Sequence, residues 1–166
     1  MAPGDRIRRR RRGGFELRIP EQERALLRSL PSELRELLSA DDPSTARLYP
    51  PGYAEDPERE AEYRAMTRED LTAGRLESLR VLEETADADR LDEEQMGAWL
   101  HALNDLRLVL GTRLDVSEDP AREEELLSGP EAETFAVYSY LSWLVEQTVQ
   151  ALSVDVGEAG PAGGSA

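Results

Sequence analysis

Few side chains in this sequence are suited to catalysis or metal binding, and the first of them is its single histidine, His101. Asp105 stands four residues later, so on a helix the two side chains share one face and could hold a metal ion together. The sequence offers no second histidine and no cysteine to complete a tight transition-metal site. We interpret His101 as a surface or packing residue and predict no metal and no cofactor.

Carboxylates are abundant, but general acid–base catalysis requires them in a cleft with shifted pKa values. Pairs such as Glu83-Glu84 and Glu93-Glu94 stand in charge-dense segments that are typical of solvated faces. We therefore predict no catalytic residue and no enzymatic activity.

The most conspicuous charged feature is a run of arginines near the N-terminus. Its members are Arg6, Arg8, Arg9, Arg10, Arg11 and Arg12. So many guanidinium groups could contact several phosphates, and a two-stranded ribbon fits the major groove of DNA. Two alternatives stay open: the arm pairs with the acidic remainder of its own chain, or it is a solvated basic tail. We predict that any contact with DNA is made by this arm.

A second polar group borders the apolar stripe of a predicted helix. Its members are Asn104, Asp105, Arg107 and Arg113. Asn104 and Arg107 are three residues apart and share a helix face. Because partly buried polar side chains need hydrogen-bond partners, we interpret the group as an internal polar network that ties the helix end to its neighbours. A ligand or partner pocket is the alternative.

The elements that would position these residues are mainly helices. The pattern predicts a mainly α protein, an irregular bundle of about five or six helices with a small N-terminal β-hairpin. We expect a basic arm or hairpin over residues 1–19, a helical domain over 20–153 and a disordered tail over 154–166.

Turn and breaker residues place the first elements. Gly13-Gly14 precedes an alternating run of apolar and charged residues, Phe15 to Ile19, which predicts a hairpin. Pro31 interrupts the leucine pattern of the first helix and predicts either a kink or a split. Residues 39–57 are rich in proline and are predicted as a loop.

Capping signals place the remaining helices. We predict a short helix over 58–66, a new helix capped by Thr67, and a long helix capped by Asp92 with Gln95. Gly111 is predicted to follow the end of that long helix. Residues 118–127 are predicted as a short acidic helix, and Pro130 as the start of the last long one.

The charge is unevenly distributed. The chain has a net charge of −15, and all 20 of its basic residues are arginine. Residues 1–12 carry +5, which leaves −20 on the remainder. An acidic body repels nucleic acids and anionic membranes and favours basic partners. No apolar run approaches the roughly 18 residues of a membrane span, and we expect a cytoplasmic protein.

Three stretches together resemble the actinobacterial domain of unknown function 2017 family. They are residues 47–53, 99–114 and 138–144, and the resemblance extends over about residues 6–153. It implies regulation, because some members of that family are described as transcriptional regulators of the oxidative-stress response that act with a sigma factor. Their genes often lie beside the gene for the ClpS protease adaptor. The family's cysteine-based redox switch does not carry over, because this sequence has no cysteine.

We therefore expect a non-enzymatic regulatory protein that acts through protein contacts in transcription, with RNA polymerase or a sigma factor as the partner. The alternative is an accessory factor of ClpS-dependent proteolysis. The broad apolar face of the 130–153 helix is also compatible with a homodimer. No membrane partner is expected.

Overall fold

A computed structural model of the chain describes residues 4–53 and 55–153. The fold is mainly α, with six helices and a small three-stranded antiparallel sheet near the N-terminus. In chain order the elements are β1 (Ile7–Arg9), β2 (Phe15–Leu17), α1 (Glu21–Ser39), a 3-10 helix (Pro43–Leu48), α2 (Pro57–Thr85), β3 (Arg90–Leu91), α3 (Glu93–Arg113), α4 (Pro120–Ser128) and α5 (Ala132–Ser153). The tail predicted over 154–166 lies outside the described residues.

The predicted hairpin is confirmed. β1 pairs antiparallel with β2, with Ile7 opposite Leu17, and both Gly13 and Gly14 in its turn have positive φ. A β-carbon at Gly14 would lie 2.8 Å from the Leu91 carbonyl oxygen, so glycine is needed there for close approach as well as for conformation. The sequence did not predict β3, because two residues are too few to show an alternating pattern.

The sheet packs its apolar face into the same core as the helices. Ile7, Phe15, Leu17 and Leu91 are all buried in that core. The basic arm is therefore built on a strand whose alternate side chains are held by the body of the protein.

Helix α3 is central, since it packs against α2, α5 and the 3-10 helix. The predicted capping box is confirmed: Asp92 accepts from the Gln95 backbone N–H at 2.7 Å, and the Gln95 side chain accepts from Asp92 N–H at 2.9 Å. One face of α3 is fully buried, and Trp99 on that face donates from Nε1 to Thr85 Oγ1 at 2.6 Å. The buried indole thus has the polar partner that it requires.

The predicted end of α3 at Gly111 is wrong. The helix continues to Arg113, and Leu114 caps it. Gly111 lies inside the helix, where a β-carbon would approach the Tyr138 ring of α5 to 3.1 Å. The glycine permits close packing of two helices rather than a change of chain direction.

Pro31 does not split α1, which runs as one helix. Leu27, Leu30 and Leu34 are buried on either side of the proline, and Pro31 is itself buried. Their packing outweighs the backbone hydrogen bond that proline cannot make.

Two predictions for residues 39–85 are wrong. The proline-rich loop contains the 3-10 helix, whose cap Asp42 accepts from the Ser44 backbone N–H at 2.9 Å. The two predicted helices that follow form a single helix of 29 residues, α2. Thr67 caps nothing, because its hydroxyl donates back to the Tyr63 carbonyl at 2.7 Å within that helix.

Arg24 joins three parts of the fold from a buried position. Its guanidinium donates to the carbonyls of Ile19 at 2.7 Å, Ala86 at 3.0 Å and Ala88 at 2.8 Å. It thereby ties the exit of the hairpin and the turn after α2 to the first turn of α1.

We expect Arg24→Ala to lower the free energy of unfolding by about 3 kcal/mol, because buried carbonyls would lose a charged donor. Urea denaturation followed by circular dichroism measures the loss. The matched control is Arg28→Ala, whose ion pairs with Glu21 and Asp87 are solvent-accessible and whose loss should lower the free energy of unfolding far less. Equal losses in the two variants would contradict the role assigned to Arg24.

Candidate functional site

A cavity of about 320 Å³ opens between α2 and α3. Its lining combines carboxylate, guanidinium, imidazole, hydroxyl and apolar groups. The lining residues are Asp70, Leu71, Gly74, Arg75, Ser78, His101 and Asp105. We call it the α2–α3 cavity.

The α2–α3 cavity is built on a buried ion pair. Arg75 Nη1 lies 2.6 Å from Asp105 Oδ1, and the Asp105 side chain is only 5% exposed. The other terminal nitrogen of Arg75 donates to the Leu48 carbonyl at the end of the 3-10 helix. One guanidinium therefore connects α2, α3 and the 3-10 helix.

The ion pair leaves two polar atoms unused. Among the described residues, neither Asp105 Oδ2 nor Arg75 Nε has a hydrogen-bond partner, although both are buried. A buried polar atom without a partner costs free energy. Two residues that line the cavity thus each carry one buried polar atom, an acceptor on Asp105 and a donor on Arg75, that the described residues do not satisfy.

Burial raises the pKa of the Asp105 carboxyl above its ordinary value. The charge and hydrogen bond of Arg75 oppose this increase in pKa without cancelling it, and His101 acts in the same direction as Arg75. His101 itself is exposed at the rim of the cavity, as expected for a surface histidine.

The structure separates the four members of the predicted polar network. Asn104 Oδ1 accepts from Arg107 Nη2 at 2.6 Å, so these two side chains do meet on one face. Asp105 is the next residue and faces α2 instead. Arg113 is exposed, and its charge adds to the Ser44 hydrogen bonds that lower the pKa of Asp42.

Sequence reasoning missed Arg75, which is the partner of Asp105. Arg75 stands four residues from both Leu71 and Leu79, so the three side chains share one side of α2. An arginine at a position that continues an apolar stripe is the signal that points to an interior partner.

Two arginines of the N-terminal arm contact their own chain. Arg6 donates to both carboxylate oxygens of Glu23 at 3.0 Å and lies over the Trp143 ring at 5.3 Å. Arg9 donates to the Ala151 carbonyl at 3.2 Å and lies over Phe15 at 4.8 Å. These two guanidiniums help to dock the hairpin on α1 and α5.

The other four arginines of the arm are differently placed. Arg8, Arg11 and Arg12 are exposed and Arg10 is half-buried. Within residues 4–53 and 55–153 none of the four forms a salt bridge. The arm therefore has two arginines that are anchored to the body of the protein and four that form no salt bridge with the described residues.

The outer part of α2 is largely uncovered. Leu79 and Leu82 near its end are its buried residues, whereas Met66 is 78% exposed, Leu71 39% and Leu76 36%. Leu71 lines the α2–α3 cavity, and Leu76 lines a second cavity of about 560 Å³ beside Leu38 of α1. We call Met66, Leu71 and Leu76 the outer α2 surface.

The described part of the chain lacks both a membrane-spanning helix and a cluster of metal-ligating side chains. No helix there has both the length and the apolar character that a membrane crossing requires. Nor does any group of three or more His, Cys, Asp or Glu side chains stand close enough together to hold a metal ion.

Comparison with known proteins gives two matches and one negative result. The model of the family described as "Domain of unknown function (DUF2017)" matches residues 5–152. A Mycobacterium leprae protein provisionally named oxidative stress regulator AosR is 31% identical over 129 residues, which is 68% of this chain. The match spans 59% of that relative's length. No solved structure matches the chain.

We expect carbon-detected NMR to find the pKa of Asp105 above the ordinary aspartate value of about 3.9. Arg75→Met should raise this pKa further, because burial would then act without the opposing charge. The control Arg113→Gln removes an exposed charge and should leave it unchanged. Since folding raises this pKa, Asp105 makes the free energy of unfolding fall as pH rises from the unfolded to the folded pKa. An Asp105 pKa at or below the ordinary value would contradict the site geometry.

Proposed function

The chain belongs to the DUF2017 family, and from that premise we propose that it is a non-enzymatic regulatory protein that acts through protein–protein contacts in transcription. Its relative is provisionally named an oxidative stress regulator, which favours a regulatory role. The sequence contains no cysteine, so we propose that its response does not use a thiol switch. The partner we propose is RNA polymerase or a sigma factor.

The observation that carries the proposal is the outer α2 surface. A helix of 29 residues that buries only its final turns leaves a methionine and two leucines in contact with water. These exposed apolar side chains, two of which line cavities, favour the binding of a protein partner, which would remove them from water. Since Leu71 and Leu76 point to different sides of α2, the proposed partner would enclose the helix rather than lie on one face.

Charge supports the same proposal. The net charge of −15 favours fast association with a basic surface, because long-range attraction increases the encounter rate. Like-charge repulsion also disfavours direct binding of the acidic body to nucleic acid.

The exposed arginines of the arm favour a supporting contact with DNA phosphates. Arg11 and Arg12 lie in the turn of the hairpin, and Arg8 is an exposed residue of β1 opposite Glu16. Such contacts would position the protein without reading a base sequence. Any sequence preference would then come from the partner.

The first test is crosslinked affinity capture from native lysate with nuclease treatment, read by mass spectrometry. We expect RNA polymerase or a sigma factor to be recovered. A Met66→Glu/Leu71→Glu variant should recover at least tenfold less, since two charges would enter the contact. The control Leu127→Glu places a charge on an exposed leucine of α4 and should capture normally.

Recovery of Clp components in place of transcription proteins would replace the proposal with a role in proteolysis. Equal capture by the α2 and α4 variants would remove the outer α2 surface from the proposal.

A second test concerns the arm. Binding of duplex DNA, measured by fluorescence anisotropy at several salt concentrations, should weaken steeply with salt. Replacing Arg8, Arg11 and Arg12 with Gln should reduce the slope of log K against log salt by up to about 0.9 for each arginine that contacts a phosphate. The control Arg47→Gln neutralises an exposed arginine outside the arm and should leave the slope unchanged. Salt-insensitive binding would exclude the phosphate contact.

A further inference from the structure

We infer that the α2–α3 cavity is a recognition pocket for a basic side chain, an arginine or a lysine, of the partner protein. The inference rests on the proposed function only in naming a protein as the source of that side chain. The pocket itself follows from the acceptor at its base, the charge of its lining and the space at its entrance.

The acceptor is Asp105 Oδ2. The residue is 3% exposed, and it lines the cavity while its second oxygen has no partner in the described residues. Because Arg75 occupies only Oδ1, the carboxylate retains free lone pairs for a further donor. A guanidinium or ammonium supplies that donor, and a charged donor makes the stronger hydrogen bond.

The charge of the lining selects a cation. Two carboxylates, Asp70 and Asp105, face a single guanidinium, Arg75, which is already committed to Asp105 and to the Leu48 carbonyl. Because Arg75 is paired with Asp105, the carboxylate of Asp70 is the negative charge of the lining that has no cation opposite it in the cavity, and it disfavours an anionic ligand. The free Arg75 N–H is satisfied by a neutral carbonyl, such as the peptide group beside the incoming side chain.

The space at the entrance fits the stem of a long side chain. Leu71 supplies an apolar wall, and Gly74 leaves the opening clear, since a β-carbon there would meet nothing within 4 Å. Arginine and lysine pack their methylene groups along such surfaces while the charged end reaches a polar partner. A glycine inside a helix is less favourable than alanine, and here it keeps the pocket accessible.

The test is an NMR titration of the ¹⁵N-labelled full chain with N-acetyl-arginine amide at low ionic strength. We expect saturable shifts at the amides of Gly74, Ser78 and His101. N-acetyl-citrulline amide has nearly the same shape without the charge, and it should bind at least tenfold more weakly. Equal binding of the two probes, or no saturable shift at these amides, overturns the inference.

Variants separate the pocket from general attraction to an acidic protein. Gly74→Leu adds an apolar side chain at the entrance, where a β-carbon meets nothing within 4 Å, and should abolish the shifts. Asp105→Asn should weaken binding at least tenfold. Gly97→Leu is the matched control, because Gly97 also meets open space on a helix but does not line the cavity. Undiminished binding by Gly74→Leu overturns the inference even if Asp105→Asn fails to fold.

The inference and the proposed function fail in different experiments. If Gly74→Leu captures the transcription partner as well as the wild type does, the pocket is not used and the proposed function stands. If the arginine probe binds as expected but no transcription protein is captured, the pocket stands and the proposed function is wrong.

Discussion

Arg24 donates to three backbone carbonyls from a buried position, and the relation between the hairpin, α1 and the turn after α2 depends on those hydrogen bonds. The half-buried Arg75 joins α2 to α3 and to the 3-10 helix by donating to the Asp105 carboxylate and to the Leu48 carbonyl. A planar guanidinium can bind several acceptors at fixed angles, which an ammonium cannot do. In a chain without lysine, cations thus serve as connectors at the joints of the fold.

The distribution of burial along α2 links the fold to the proposed function. Its final turns pack against Trp99 and the rest of the core, which fixes the direction of the helix. Its outer part exposes apolar side chains beside two cavities. The same helix therefore contributes to the core at one end and to the candidate interface along the remainder.

The sequence correctly predicted the structural features that depend on interactions between neighbouring residues. The Asp92–Gln95 capping box and the Gly13-Gly14 hairpin were both readable, because each depends on a few adjacent residues. Other features depend on tertiary packing. For example, buried leucines keep α1 continuous across Pro31. The Arg75–Asp105 pair at the candidate site joins residues 30 positions apart, and the position of Arg75 on its helix does not identify Asp105 as the partner.

Because α2 is unevenly buried, its backbone amides are also unevenly protected from hydrogen exchange. The outer turns of α2 bury few side chains, so we expect their amides to open with less free energy than the global unfolding of the core. Gly74 stands where the anchored part begins, next to Arg75, and is the weakest helix former in that region. Fraying from the first turn would meet the contacts of Arg68 with Asp41 and of Thr72 with Tyr49 before it reaches the Arg75–Asp105 pair. A partner that covers α2 must also supply the free energy of ordering these turns. This requirement lowers the affinity of the complex and lets the partner dissociate readily.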